Sequence, residues 1–77
     1  MSGYYRYATR AGEFRIVQEP SGRWQAMFEG EGLGSYQHPW QAAEDLAGGH
    51  TYTPSCGDSA NFGLPEDLAD WELVRSR

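Results

Sequence analysis

His50, Cys56 and Asp58 are the residues of this sequence whose types suit covalent catalysis: a base, a thiol and an orienting carboxylate. They lie close together, in a stretch of Thr, Pro, Ser, Gly, Asp and Asn (residues 50–63) that reads as a loop. Nucleophile, base and orienter need a rigid shell to hold them, and a loop in a 77-residue chain is a poor place for one. No catalytic residue is therefore assigned. A metal site is not expected either. His38, His50 and Cys56 do not stand at zinc spacings, and there is no second cysteine to complete a paired site. The single cysteine also excludes an internal disulfide and fits a reducing compartment. Cys56 then reads as a small, partly buried filler, and no cofactor is implied.

Three shorter patterns have chemical and structural readings. Gly57-Asp58-Ser59 resembles the Gly-Asp-Ser nucleophile motif of a hydrolase family over three residues, but it follows Pro54 in the loop, without the strand that the motif requires. Gly30-x-Gly32-x-Gly34 has the wrong spacing for a phosphate loop, and Glu29 and Glu31 would repel a phosphate; a glycine-rich hairpin turn is expected. The opening run Tyr4-Tyr5-Arg6-Tyr7, with Arg10, has the aromatic and basic chemistry that stacks on single-stranded nucleic acid. Its structural reading is an amphipathic edge strand, and the acidic balance of the chain argues against direct nucleic-acid binding.

The acids carry the strongest signal. Eleven Asp and Glu face six Arg and no Lys, a net charge of −5. Their distribution is lopsided. Residues 1–23 hold four arginines (Arg6, Arg10, Arg15, Arg23) and two acids (Glu13, Glu19). Residues 24–74 hold nine acids and no basic side chain other than histidine, and Arg75 and Arg77 close the chain. Surfaces of small domains ordinarily intersperse both signs. Glu66 and Asp67 suit the first turn of a helix, where carboxylates favour the positive dipole end. Glu44 and Asp45 fall in the latter half of a helix, where the dipole prefers a cation. Glu29 and Glu31 are two apart, about 6.6 Å if extended. Asp70 and Glu72 continue the row with no cation in local spacing.

The elements that must position these acids follow from periodicity. Tyr4 to Ala8, Phe14 to Glu19, Trp24 to Glu29 and Leu33 to Tyr36 alternate as strands, with Pro20-Ser21-Gly22 and Gly30-Glu31-Gly32 as turns. Phe14 and Ile16 share one face, as do Trp24, Ala26 and Phe28. From Pro39, the residues Trp40, Ala43, Leu46 and Ala47 recur at helical spacing until Gly48-Gly49. Pro65 to Trp71 reads as a second short helix, with Leu68 and Trp71 inward. The expectation is an α+β fold over residues 1–77 as one domain: a small antiparallel sheet of three to four strands, one packed helix and a short C-terminal helix. Trp24, Phe28, Trp40 and Trp71 are expected in the core. No apolar run approaches a membrane span of about 20 residues. The opening MSGYYRYATR lacks the apolar stretch of a signal peptide, so a cytoplasmic monomer is expected.

Carboxylates held several ångströms apart on a rigid fold present a field like that of a duplex, whose protein partners answer it with Arg and Lys. Such a surface competes for a basic groove. Length, acidity, the sheet-then-helix order and the segments FEGEGLGSY (Phe28–Tyr36), QAAEDLAGG (Gln41–Gly49) and LPEDLADWE (Leu64–Glu72) resemble the small acidic anti-CRISPR proteins of phages and mobile elements, type I-C inhibitors in particular. The resemblance implies a non-enzymatic DNA mimic in the bacterial host cell. It would dock on the basic DNA-entry or PAM-reading surface of a Cascade complex and block target DNA. From charge layout, the contacts are Glu29, Glu31, Glu44, Asp45, Asp70 and Glu72, with Asp58, Glu66 and Asp67 in support. The competing expectation is a small bacterial regulator or interaction module that docks through exposed aromatics such as Tyr5 and Tyr7.

Overall fold

The computed structural model describes residues 3–75. The alternating first half forms a meander of β1 (Gly3–Thr9), β2 (Gly12–Gln18), β3 (Trp24–Phe28) and β4 (Glu31–Tyr36). Helix α1 (Pro39–Gly48) follows, then two 3₁₀ turns at Ser59–Phe62 and Leu68–Asp70, and finally β5 (Glu72–Arg75). The strands form one antiparallel sheet in the order β4-β3-β2-β1-β5. The fold is α+β, as expected, with one strand more than the sequence reading anticipated.

Register builds the core. Phe14 pairs with Tyr7 on one side and Phe28 on the other, and Ile16 pairs with Tyr5 and Ala26. Directly opposed residues share a face, so two parallel rows of apolar side chains cross the sheet on one side. The Phe14 and Phe28 rings lie 4.8 Å apart, tilted at 48°. Ala42, Ala43 and Leu46 of α1 close over these rows, joined by Leu64 and Trp71. Phe14, Ile16, Ala26, Ala42, Ala43 and Leu46 are all completely buried.

The hairpin turns obey local geometry. Glu29 and Gly30 both take positive φ, 47° and 91°, as the mirror-image two-residue turns require. Glu31 is therefore the first residue of β4 and not part of the turn. Between β2 and β3, Gly22 takes φ 94° and donates its N–H to the Glu19 carbonyl at 2.9 Å. Helix α1 starts with Pro39 at its first position, and Gln41 Oε1 accepts the His38 N–H at 3.1 Å. It ends at Gly49, whose φ of 74° places it in the left-handed region. A Cβ there would stand 2.3 Å from Asp58 Oδ1, so glycine is demanded by space as well as by φ.

Three expectations are corrected. Trp40 is not core but 49% exposed. The buried stripe of α1 runs through Ala42, Ala43 and Leu46, rotated from the expected line, because the small alanines bring the helix close to the sheet and leave Trp40 on the rim. The second helix is only the three-residue turn Leu68–Asp70. Its seven candidate residues are too few to repay helix nucleation, and the Trp71 indole N–H takes the Pro65 carbonyl at 2.9 Å. Leu68 and Trp71 do turn inward. The third correction is β5, four residues too short to show a period, which pairs Leu73 with Tyr5 and Val74 with Tyr4.

The 50–63 segment is a loop, as expected, fastened to the core through the 3₁₀ turn Ser59–Phe62. The buried Ser59 hydroxyl donates to the Leu46 carbonyl at 2.7 Å, and the Phe62 ring meets Phe14 at 5.9 Å. One core of this size contributes only roughly 3–5 kcal/mol of net stability. Phe14→Ala, which costs about 3–5 kcal/mol at a buried site, should therefore leave the chain unfolded by circular dichroism at room temperature, while Ile16→Val, at about 0.5–1.5 kcal/mol, keeps the fold with a lowered urea midpoint.

Candidate docking surface

The charged side chains divide between the two layers of the fold. The sheet and its hairpins carry five described arginines (Arg6, Arg10, Arg15, Arg23, Arg75) and five glutamates (Glu13, Glu19, Glu29, Glu31, Glu72). The layer of α1 and the 3₁₀ turns carries Glu44, Asp45, Asp58, Glu66, Asp67 and Asp70, with no arginine or lysine. The sheet is balanced; the helical layer is uniformly acidic.

Within the sheet the charges satisfy one another. Strand alternation puts Arg6, Glu13, Arg15 and Glu72 on the face away from α1. Arg6 binds Glu13 and Glu72, and Arg15 binds Glu13 at 2.7 Å. Hydrogen bonds from Arg6 and then Arg15 hold the Glu13 carboxyl below the usual carboxylate range, and Glu13 in turn raises both guanidinium pKa values. Glu72 thus has a cation after all. Its partner Arg6 is 66 positions away and is brought opposite by the β1–β5 pairing, so local spacing could not reveal it.

Glu29 and Glu31 are occupied differently. Glu29 is the first residue of the tight turn and Glu31 the first of β4, so the two do not sit on one extended strand. Glu29 Oε2 accepts the Glu13 N–H at 2.7 Å, and Glu31 Oε1 accepts the Ser55 N–H at 2.9 Å. Both carboxylates fasten backbone while remaining exposed.

In the helical layer, Asp58 and Asp67 cap the two 3₁₀ turns by accepting the N–H of Ala60 and Ala69, each at 2.9 Å. Asp45 stands against the Tyr36 hydroxyl, whose burial and carboxylate neighbour push its pKa up to about 12. Glu44, Glu66 and Asp70 have no ion pair and no side-chain hydrogen bond among the described residues, and all three are exposed.

Glu44 and Asp45 also line a cleft of about 430 Å³ between the end of β4 and the start of α1. Tyr36, Trp40 and Gln41 supply its other main walls. The His38 ring stacks on the Trp40 indole with centroids 5.6 Å apart and planes 10° from parallel. Arg23 reaches the cleft too, but its guanidinium donates to the Ser35 hydroxyl at 2.9 Å and the Ser35 carbonyl at 3.2 Å. Sequence reading missed this cleft because it assigned Trp40 to the core.

The aromatic run at the N-terminus is divided. Tyr5 and Tyr7 turn into the core, meeting Trp24 at 6.0 Å and Trp71 at 5.7 Å. Tyr4 faces the opposite way beneath the Arg15 guanidinium, at 5.0 Å. Arg10 lies over the Phe62 ring at the same distance. Tyr4 thus faces away from Tyr5 and Tyr7, which are half-buried against the core, and the run does not present all its rings on one face. The exposed aromatics are Trp40 and Tyr52.

The loop chemistry is likewise committed to structure. Ser59 is buried and bonded to Leu46, so its hydroxyl cannot meet a substrate. Burial pushes the Cys56 thiol up, away from thiolate. His50 lines an adjoining cleft of about 260 Å³ with Tyr52, which shares Ser35 and Tyr36 with the first and which neither Cys56 nor Asp58 lines. Among the described residues no group of three or more His, Cys, Asp or Glu is placed to hold a metal. Gly30 serves the hairpin turn, and the Tyr36 ring lies across Gly34, with its hydroxyl 3.1 Å from where a Cβ would stand.

No known family model, curated protein or solved structure matches this chain. No helix among the described residues is long and apolar enough to cross a membrane.

The Glu13 pairs set a pH dependence. Because its folded pKa lies below the ordinary 4.5, Glu13 adds stability above about that pH, and the contribution disappears as pH falls through the folded value. Urea unfolding should show Glu13→Gln less stable than the natural chain at neutral pH, with the difference closing in acid.

Proposed function

We propose that this protein is a non-enzymatic inhibitor that uses its acidic helical layer to occupy a basic, nucleic-acid-binding surface of a partner. The observation that carries the reading is the division of charge between elements: the layer of α1 and the 3₁₀ turns contributes six carboxylates and no arginine or lysine of its own, with Arg10 and Arg23 reaching its edge from the sheet, whose charges are mutually paired or balanced. A fold that needed acids only for solubility has no reason to collect its cations on the other layer. The arrangement gives the molecule a direction, and a directed field raises the rate of productive encounter with a basic groove.

The resemblance to small anti-CRISPR proteins directs the sharper form of this reading to a Cascade complex, with the helical layer standing in for target DNA at the DNA-entry or PAM-reading surface. Glu44, Asp45 and Asp70 are the leading contacts, with Glu66, Asp58 and Asp67 beside them. Glu29, Glu31 and Glu72 hold the sheet and its loops together and contribute to the field from further away.

A second reading has its own support. Trp40 and Tyr52 are 49% and 77% exposed, and large exposed aromatics are common anchors of protein interfaces. In that case an interaction module docks mainly through apolar contact.

Competition with duplex target DNA for a purified type I-C Cascade complex separates the two. Exposed charge pairs contribute about 0.2–1 kcal/mol each, so the triple variant Glu44→Gln, Asp45→Asn, Asp70→Asn should weaken competition roughly three- to hundredfold, and added salt should weaken the natural chain. Undiminished competition by the triple variant, with loss on Trp40→Ala and little response to salt, transfers the conclusion to the aromatic module.

A further inference from the structure

We propose that the cleft between β4 and α1 is a receptor for a single arginine side chain of the partner, a proposal that rests on the docking reading and gives it a specific contact. Four features converge there. The Trp40 indole is half exposed, stacks on His38 and lines the cleft. The Tyr36 ring is held across Gly34, where any Cβ would press against it, so a second aromatic wall is fixed in place. Glu44 and Asp45 bring two carboxylates to the same cleft, and α1 supplies no lysine or arginine to neutralise them. Arg23 also lines the cleft, but its guanidinium is bonded to Ser35 of the same lining and makes no ion pair with Glu44 or Asp45 among the described residues.

The volume of about 430 Å³ accommodates a long side chain with its solvent. An anion is excluded by the carboxylates, and an apolar side chain would leave Glu44 without a partner and Asp45 with the Tyr36 hydroxyl alone. A guanidinium answers both components: its plane stacks on an indole and its N–H fork pairs with a carboxylate. A lysine ammonium answers only the charge, as a point, and binds less well. Basic grooves that hold nucleic acid are rich in such arginines, so the cleft gives the acidic layer a register on its partner and not attraction alone.

Titration of the full ¹⁵N-labelled chain with the blocked peptide acetyl-Gly-Arg-Gly-amide tests the assignment. The expected result is saturable shifts of the Trp40 indole N–H and of the Gln41 and Asp45 amides. Affinity should fall at least fivefold when citrulline, the neutral isostere, replaces arginine, and by less with lysine. Trp40→Ala and the pair Glu44→Gln with Asp45→Asn should each weaken binding about tenfold. Trp40 is a rim residue, and an unchanged amide spectrum away from the cleft shows that its variant is folded. Equal binding of the citrulline peptide, shifts centred elsewhere, or no saturable shift overturns the proposal. If the cleft fails this test while DNA competition by the acidic layer persists, the docking reading stands without it; if the cleft binds arginine and the competition fails, the reverse holds.

Discussion

The single core in which Phe14 and the alanine stripe of α1 are buried together is the constraint on which the rest of the structure depends. Phe14 sits at the centre of the sheet, flanked by Tyr7 and Phe28 in register, and is closed from above by α1 and Phe62. A chain this short buries little surface, so one row of rings has to serve as its main core. Ala42 and Ala43 make that possible. Their small side chains let the helix approach the sheet, and no larger residue fits without lifting it.

That close approach has consequences at the rim. With α1 seated on its alanines, Trp40 is carried out of the core and against His38, and a cleft opens between the helix and the end of β4. Glu44 and Asp45, on the following turn, are carried to the same opening. The covering layer contains no lysine or arginine of its own. The arginines stay on the sheet and its hairpins, where Arg6 and Arg15 gather around Glu13, Arg23 holds Ser35 and Arg10 covers Phe62. Packing and electrostatics therefore agree on a two-sided molecule, balanced on one side and acidic on the other.

Much of this was legible in the sequence. The first four strands, the Pro20-Ser21-Gly22 turn, the Pro39 start and Gly49 end of α1 and the inward Phe14, Ile16, Ala26 and Phe28 all followed from period and from turn chemistry. Short and long-range features were not legible. Leu73 and Val74 form a strand only because β1 offers an edge to them, and Glu72 finds Arg6 by the same pairing. Local spacing does not encode either event. Trp40 was misplaced because helical periodicity gives the angle between residues but not the absolute rotation of the helix on its sheet, which the alanines decide. The acidic block was visible as a count; that Glu29, Glu31, Glu72, Asp58 and Asp67 fasten structure while Glu44, Glu66 and Asp70 stay open on the helical layer emerged only in three dimensions.

The central proposal is that the helical layer, and not overall acidity, drives docking. It is tested most directly by the salt dependence of binding to the Cascade complex proposed as the partner, for two variants with equal loss of charge. One neutralises Glu44, Asp45 and Asp70, and the other neutralises Glu29, Glu31 and Glu72. The account predicts that the first flattens the dependence of log affinity on log salt and weakens binding, while the second leaves the slope close to that of the natural chain once its fold is verified. Equal flattening by both sets, or a steeper loss from the sheet set, would contradict it.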